Sequence, residues 1–176
     1  MSDVLSPEIQ MKVLAAAALA ASMLSPWYAH AQEQALFGSW RVQKDGAALE
    51  MYSANQNGGT VGVVCVTGQT CAVYVATHQR CEEGKQYPGV VGAAGGFADF
   101  SLTCRVVKDR FVYVLSDFPR AIRGLRDAGQ WGLAVLNNNG TSQSYRFAVS
   151  GTPEAVGAMR RLDQATASVV SADSIY

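Results

Sequence analysis

Charge is scarce in this chain. Asp, Glu, Lys and Arg make up 16% of its 176 residues, and 14 acidic side chains balance 14 basic ones. A nucleic-acid surface needs a clustered basic face. No segment supplies one, so nucleic acid is not an expected partner. Histidine is rarer still, with only His30 and His78. There is no Gly-x-Ser-x-Gly elbow, Walker loop, His-Glu-x-x-His pair or calcium loop. No Cys-x-x-Cys occurs either, which excludes the close spacing of a thioredoxin-like redox pair and of a common structural zinc site. No apolar run reaches the roughly 20 residues that cross a bilayer. These absences point away from catalysis, cofactors, metals and stable membrane insertion.

What is present begins with a leader pattern. Met11-Lys12 gives a positive start, Val13 to Ser25 is almost unbroken apolar sequence, and Pro26 interrupts it. Ala29-His30-Ala31 has the small-x-small form read by signal peptidase. The ten residues before Met11 carry Asp3 and Glu8, which is poor chemistry for a leader's start, so Met11 is the expected true start. Residues 1–31 are therefore expected to be a signal peptide, and 32–176 a single exported β-rich domain. The expected location is the periplasm or the outside of a Gram-negative cell.

Export changes the meaning of the four cysteines, because exported thiols oxidise. Cys65, Cys71, Cys81 and Cys104 allow three pairings. Residues 61–66 and 71–76 are β-rich runs around a turn-like Thr67-Gly68-Gln69-Thr70, so a hairpin would set Cys65 opposite Cys71. Cys81 would then join Cys104 across a glycine-rich segment. The competing arrangement is Cys71–Cys81 with Cys65–Cys104.

Along the domain, alternating or β-rich runs occur at Phe37–Val42, Ala48–Ser53, Phe97–Val107, Arg110–Leu115, Trp131–Leu136 and Ser142–Ser150. With the two cysteine-bearing runs they make about eight short strands. Asn137-Asn138-Asn139-Gly140 is the clearest hairpin turn, since Asn-Gly tolerates positive φ. Two segments change to helical spacing. Phe118, Ile122 and Leu125 follow an Asp117 cap with Pro119 in the first turn. Ala155, Val156, Met159 and Leu162 follow a Thr152 cap with Pro153. The expected fold is mainly β: an antiparallel β-sandwich or partial barrel of about eight strands with two short helices, stapled by disulfides. Trp40 and Trp131 are expected in its core.

Arg80 to Gly96 reads as the longest irregular stretch, and long loops of a compact domain are often functional. Within it Glu83, Lys85, Tyr87 and Pro88 are the expected partner-binding residues, with Tyr87-Pro88 at the tip. Gly89–Gly96 has only a superficial likeness to a dinucleotide loop, without the strand-loop-helix setting. His78 is the one histidine beyond the leader that could serve a catalytic pair, although its place beside Gln79 and Arg80 suits a surface. Arg120, Arg123 and Arg126 read as a solvated helix face.

The C-terminal half carries a family resemblance. Phe118-Pro119-Arg120-Ala121-Ile122-Arg123-Gly124-Leu125, the strand at Trp131, and Phe147-Ala148-Val149-Ser150-Gly151 leading into a helix with Ala155 and Leu162 resemble the invasion-associated locus B (IalB-like) family of exported proteobacterial proteins. Val149 stands in the leucine place of that family's strand. The early Trp40 also fits, although no cysteine follows it before Cys65. The resemblance implies a β-sandwich-like exported protein, sometimes linked to host-cell interaction, and carries no catalytic residues. The leading expectation is thus a non-catalytic binding or accessory protein that engages a protein or envelope component. An inhibitor of a lysozyme- or protease-type hydrolase is the alternative, and an enzyme using His78 with a carboxylate ranks last.

Overall fold

The computed structural model of the protein describes residues 35–66, 70–126, 128–137 and 140–173, with side chains to 164. Residues 1–34, 67–69, 127, 138–139 and 174–176 lie outside that description, and with them the expected signal peptide. Ten strands form one sheet: β1 (Ala35–Phe37), β2 (Trp40–Asp45), β3 (Ala48–Ala54), β4 (Thr60–Val66), β5 (Cys71–Thr77), β6 (Gln86–Ala93), β7 (Gly96–Val107), β8 (Arg110–Leu115), β9 (Gln130–Leu136) and β10 (Ser142–Ala148). Helix α1 (Phe118–Arg126) joins β8 to β9, and helix α2 (Thr152–Asp173) follows β10.

The strand order is β1-β2-β3-β4-β5-β8-β7-β6-β9-β10, and every neighbouring pair is antiparallel. The sheet curls without closing: β1 and β10 stand at its two ends and do not pair with each other. Period-two alternation sets the inner wall. Val42, Met51, Val63, Val73, Leu102, Leu133 and Phe147 all point inward and are buried. The two indoles lie in this core as expected, Trp40 at 0% and Trp131 at 1% exposure. Helix α1 packs on β5 and β6, and α2 on β1, β2 and β3.

The mainly β, partially closed architecture is the expected one, with two strands more. The run from Phe37 to Val42 is broken, because Gly38 adopts φ +58° and turns the chain between β1 and β2. The composition of Arg80–Gly96 predicts a loop, yet Gln86–Ala93 is β6, an interior strand between β7 and β9. Pro88 lacks the N–H a central strand needs. It is tolerated because the β6–β9 pairing begins only at Gly89↔Val135. Gly89 is required for space, since a Cβ there would stand 2.5 Å from Leu102 Cδ1.

The helix starts follow local chemistry. Asp117 Oδ1 accepts from Arg120 N at 3.0 Å, the expected N-cap of α1. Thr152 behaves otherwise. Its hydroxyl donates to Val149 O at 2.6 Å and accepts from Trp40 Nε1 at 2.9 Å. It therefore ties α2 to β2 rather than capping by its side chain. Beyond Leu162, where the apolar pattern fades, the helix continues to Asp173.

Both disulfides follow the favoured pairing. Cys65 and Cys71 are register partners across β4 and β5, with Cα atoms 4.1 Å apart. Cys81 reaches Cys104 on β7, Cα to Cα 6.0 Å, and Cys104 is fully buried.

Candidate functional site

The residues singled out from the sequence do not form one loop surface. Glu83 is exposed, receives Val106 N–H and pairs with Arg105 at 3.3 Å. Lys85 pairs with Glu82 at 2.9 Å. Pro88 is exposed on β6. Tyr87, expected at a loop tip, instead lies in the core at 5% exposure. Its ring meets Tyr113 edge-on, with centroids 5.6 Å apart, and its hydroxyl accepts from Glu82 N at 3.1 Å. The alternation of β6 turns Tyr87, Gly89 and Val91 to the same inner face, so the ring is structural. Tyr87→Ala is therefore expected to cost about 3 kcal/mol in urea unfolding, as for other buried aromatics cut to alanine. A ring serving only partner binding would leave stability unchanged.

A different site is built where the curled sheet fails to close. The C-terminal end of β10 is tied to the start of the sheet. Ser53 Oγ donates to Ala148 O at 2.7 Å, Asn55 Nδ2 to Arg146 O at 3.2 Å, and Ser39 N to Ser150 O at 3.0 Å. Toward its N-terminal end β10 departs from the opposite wall, and a cleft of about 1050 Å³ opens. One wall is β10 with Gln143, Ser144, Tyr145 and Arg146. The other is the β3–β4 turn with Asn55, Gln56 and Asn57, together with Thr77, His78 and Gln79 at the end of β5.

The turn wall is rigid for a local reason. Asn55 Oδ1 accepts from the backbone N–H of Asn57 and of Gly59, at 3.1 and 2.8 Å, an Asx-type arrangement that holds the turn. Across the floor, Tyr145 O–H donates to Gln143 Oε1 at 2.7 Å, and Gln143 Nε2 donates to Gln79 Oε1. The cleft is thus lined mainly by amides and hydroxyls, each able to donate or accept. Among the described residues that line it, the charged or chargeable ones are Arg146 and His78, and none is a carboxylate. The His78 ring lies against Gly58, where a Cβ would stand 2.5 Å from Nε2. Among the described residues no three of His, Cys, Asp and Glu gather as metal ligands.

Burial raises the phenol of Tyr145. It pushes Tyr113, buried on β8, to about 12, with Tyr145 and Tyr87 adding to the effect. On the outer face, burial and the Glu50 carboxylate hold Tyr74 above the ordinary phenol range, its hydroxyl donating to Glu50. A folded-state value above the unfolded one favours the neutral phenol. The stabilisation is complete below pH about 10 and is lost as pH rises through the folded values. Stability is therefore expected to fall between about pH 10 and 12, with part of the tyrosine absorbance at 295 nm appearing only on unfolding. A full, simple phenol titration in the folded protein would contradict this.

Other concave or apolar surfaces include one between the β6–β7 turn and α1, lined by Phe97, Phe100, Arg120 and Arg123, and the two that follow. An apolar groove of about 260 Å³ lies between α1, α2 and the Cys65–Cys71 end of the β4–β5 hairpin. On the outer sheet face Phe97 is 86% exposed, with Val90 and Leu136 also exposed. Neither gathers polar groups of the number seen in the seam. The seam itself was not visible in the sequence. Its signal is the polar side chains Thr77, Gln143 and Tyr145 at inward positions on strands whose other inward positions are apolar.

No protein-family model and no curated protein matches the chain in sequence. Among solved structures, the crystal structure of invasion associated protein B from Bartonella henselae is similar, with a TM-score of 0.57 and 14% identity over 74% of this chain and 98% of that one. The likeness is one of fold. It supports the resemblance read from the C-terminal half at that level.

Proposed function

We propose that the protein is a non-catalytic binding domain, exported by removal of its leader after Ala31, that holds a protein or cell-envelope component in the seam between β10 and the β3–β4 turn. The observation that carries this reading is the make-up of the seam: a large open cleft lined by Asn55, Asn57, Gln79, Gln143 and Tyr145, with no carboxylate among its described residues. Such a lining offers many hydrogen bonds and little means of moving a proton. Two disulfides with no free cysteine support an oxidising compartment, the periplasm or beyond. The structural neighbour is named for association with invasion, and an envelope-facing binding role is compatible with that name.

The test is capture from envelope extracts on the immobilised, oxidised protein, compared with a Gln79→Ala, Gln143→Ala double variant. The expected result is loss of the captured partner with the melting temperature nearly unchanged, because both side chains bond mainly to each other and to Tyr145. Equal capture by the variant would overturn the assignment of the seam.

A further inference from the structure

We infer that the occupant of the seam is an extended polypeptide segment, added to the sheet as an eleventh strand along the free edge of β10. This rests on the seam being the binding site and names its ligand class. The end strand β10 has one strand neighbour, β9. In an antiparallel strand the N–H and C=O of alternate residues point to the same side. Arg146 O and Ala148 O both receive donors from across the seam, Asn55 Nδ2 and Ser53 Oγ. The main-chain groups of Ser144, two residues before Arg146, therefore face the seam as well, as does the N–H of Arg146. Those groups have no strand partner among the described residues.

An unpaired edge of this length is a template for strand addition unless the fold blocks it. Few of the usual blocks occur on β10: its sequence SQSYRFA holds no Pro and a single charge, Arg146, and its pairing with β9 runs without a bulge from Ser142↔Leu136 to Ala148↔Gln130. The cleft of about 1050 Å³ lies directly beside this edge, where an added strand would stand about 4.8 Å from β10. A segment opposite Ser142 to Arg146 would span roughly 15 Å at about 3.4 Å per residue. Main-chain bonds to β10 would give affinity, and the two walls would read alternate side chains. The opposite wall supplies Asn57 and Gln79, whose amides can pair with the far edge of the added strand. With His78 in the opposite wall and no acid among the described lining residues, the segment that fits best is neutral or acidic.

The experiment pans a library of random ten-residue peptides against the full, oxidised chain. The enriched peptide is then titrated into isotope-labelled protein and resynthesised with single N-methyl groups along its length. The expected result is slowed exchange of the Ser144 and Arg146 amides on binding. In the N-methyl scan, alternate positions should lose binding by about tenfold or more, the loss of one hydrogen bond, while the positions between are tolerated. Ser144→Pro removes a donor from the open side alone and should weaken the peptide similarly. The N-methyl scan decides the matter should that variant misfold.

A peptide that perturbs Thr77, Gln79 and Gln143 without a two-residue period would overturn strand addition and leave the seam's binding role standing. Enriched peptides that perturb none of these residues would overturn both. No enrichment over an unrelated β protein would overturn strand addition. So would concentration-dependent protection of Ser144 without peptide, which would place the β10 of a second copy on this edge.

Discussion

Replacing Cys81 and Cys104 together with alanine is expected to lower stability by about 3 kcal/mol, or roughly 10 °C in Tm for a domain of this size. The bridge closes a sequence separation of 23 residues that includes the whole of β6. Without it, the unfolded chain regains the freedom of that loop. In the folded state, Cys104 sits in the C-terminal half of β7, opposite Tyr113 on β8, and the Cys81 end tethers the entry to β6, where Gly84 and Lys85 bond back to Cys104 backbone atoms. The Cys65–Cys71 bridge closes a separation of only 6 residues. The same chain-entropy expression gives it about 2 kcal/mol. The β4–β5 ladder already holds those residues opposite each other, so less than that should be seen. Urea unfolding of the two double variants checks the order. A larger loss from removing Cys65–Cys71 would contradict it.

Trp40→Ala is expected to cost about 4 kcal/mol, within the usual range for a buried tryptophan cut to alanine. The more telling pair is Trp40→Phe against Trp131→Phe. The Trp40 indole N–H donates to Thr152 Oγ1 at 2.9 Å and to Val149 O at 3.2 Å. It thereby clamps β2, near the first edge of the sheet, to the segment that follows the last strand. Phenylalanine loses both the bond and the volume, about 2–3 kcal/mol. Trp131 is equally buried, and its Nε1 has no hydrogen-bond partner among the described residues. There phenylalanine removes a desolvated donor, which offsets part of the lost volume, so the net cost should be about 1 kcal/mol. Its ring also keeps the tilted contact with Phe147, whose centroid is 6.1 Å away. Equal losses in urea unfolding would mean that the clamp contributes nothing.

Much of the fold was legible because neighbouring residues decide it. The β4–β5 hairpin and its disulfide follow from two β-rich runs with a cysteine at the same distance from one turn. Helix α1 follows from Asp117, Pro119 and the Phe118–Ile122–Leu125 spacing. Strand β6 was hidden because its inner positions are Tyr87, Gly89 and Val91. Gly89 must leave space for Leu102 on β7, and that contact belongs to the assembled sheet. Pro88 reinforced the impression of a turn, and only the late start of the β6–β9 ladder explains why it is tolerated.

The seam was illegible for a related reason. Asn55–Asn57 reads as an ordinary turn, His78-Gln79 as a strand end, and Gln143–Arg146 as a polar strand. The curl of ten strands is what brings the three segments to one cleft. His78 drew attention as a lone titratable group, whereas its place in the structure is one member of an amide-rich wall, packed on Gly58. Glu83 and Lys85 drew attention as exposed charges, and each is an ion-pair partner on the surface.

The binding surface is located by the hydrogen-exchange footprint of the proposed envelope partner on the oxidised protein, read as bound minus free protection along the chain. Protection is expected at residues 55–59, 77–79 and 142–148. Protection centred instead on the outer face around Phe97, or on the groove between α1 and α2, with the seam unchanged, would contradict the assignment of the seam.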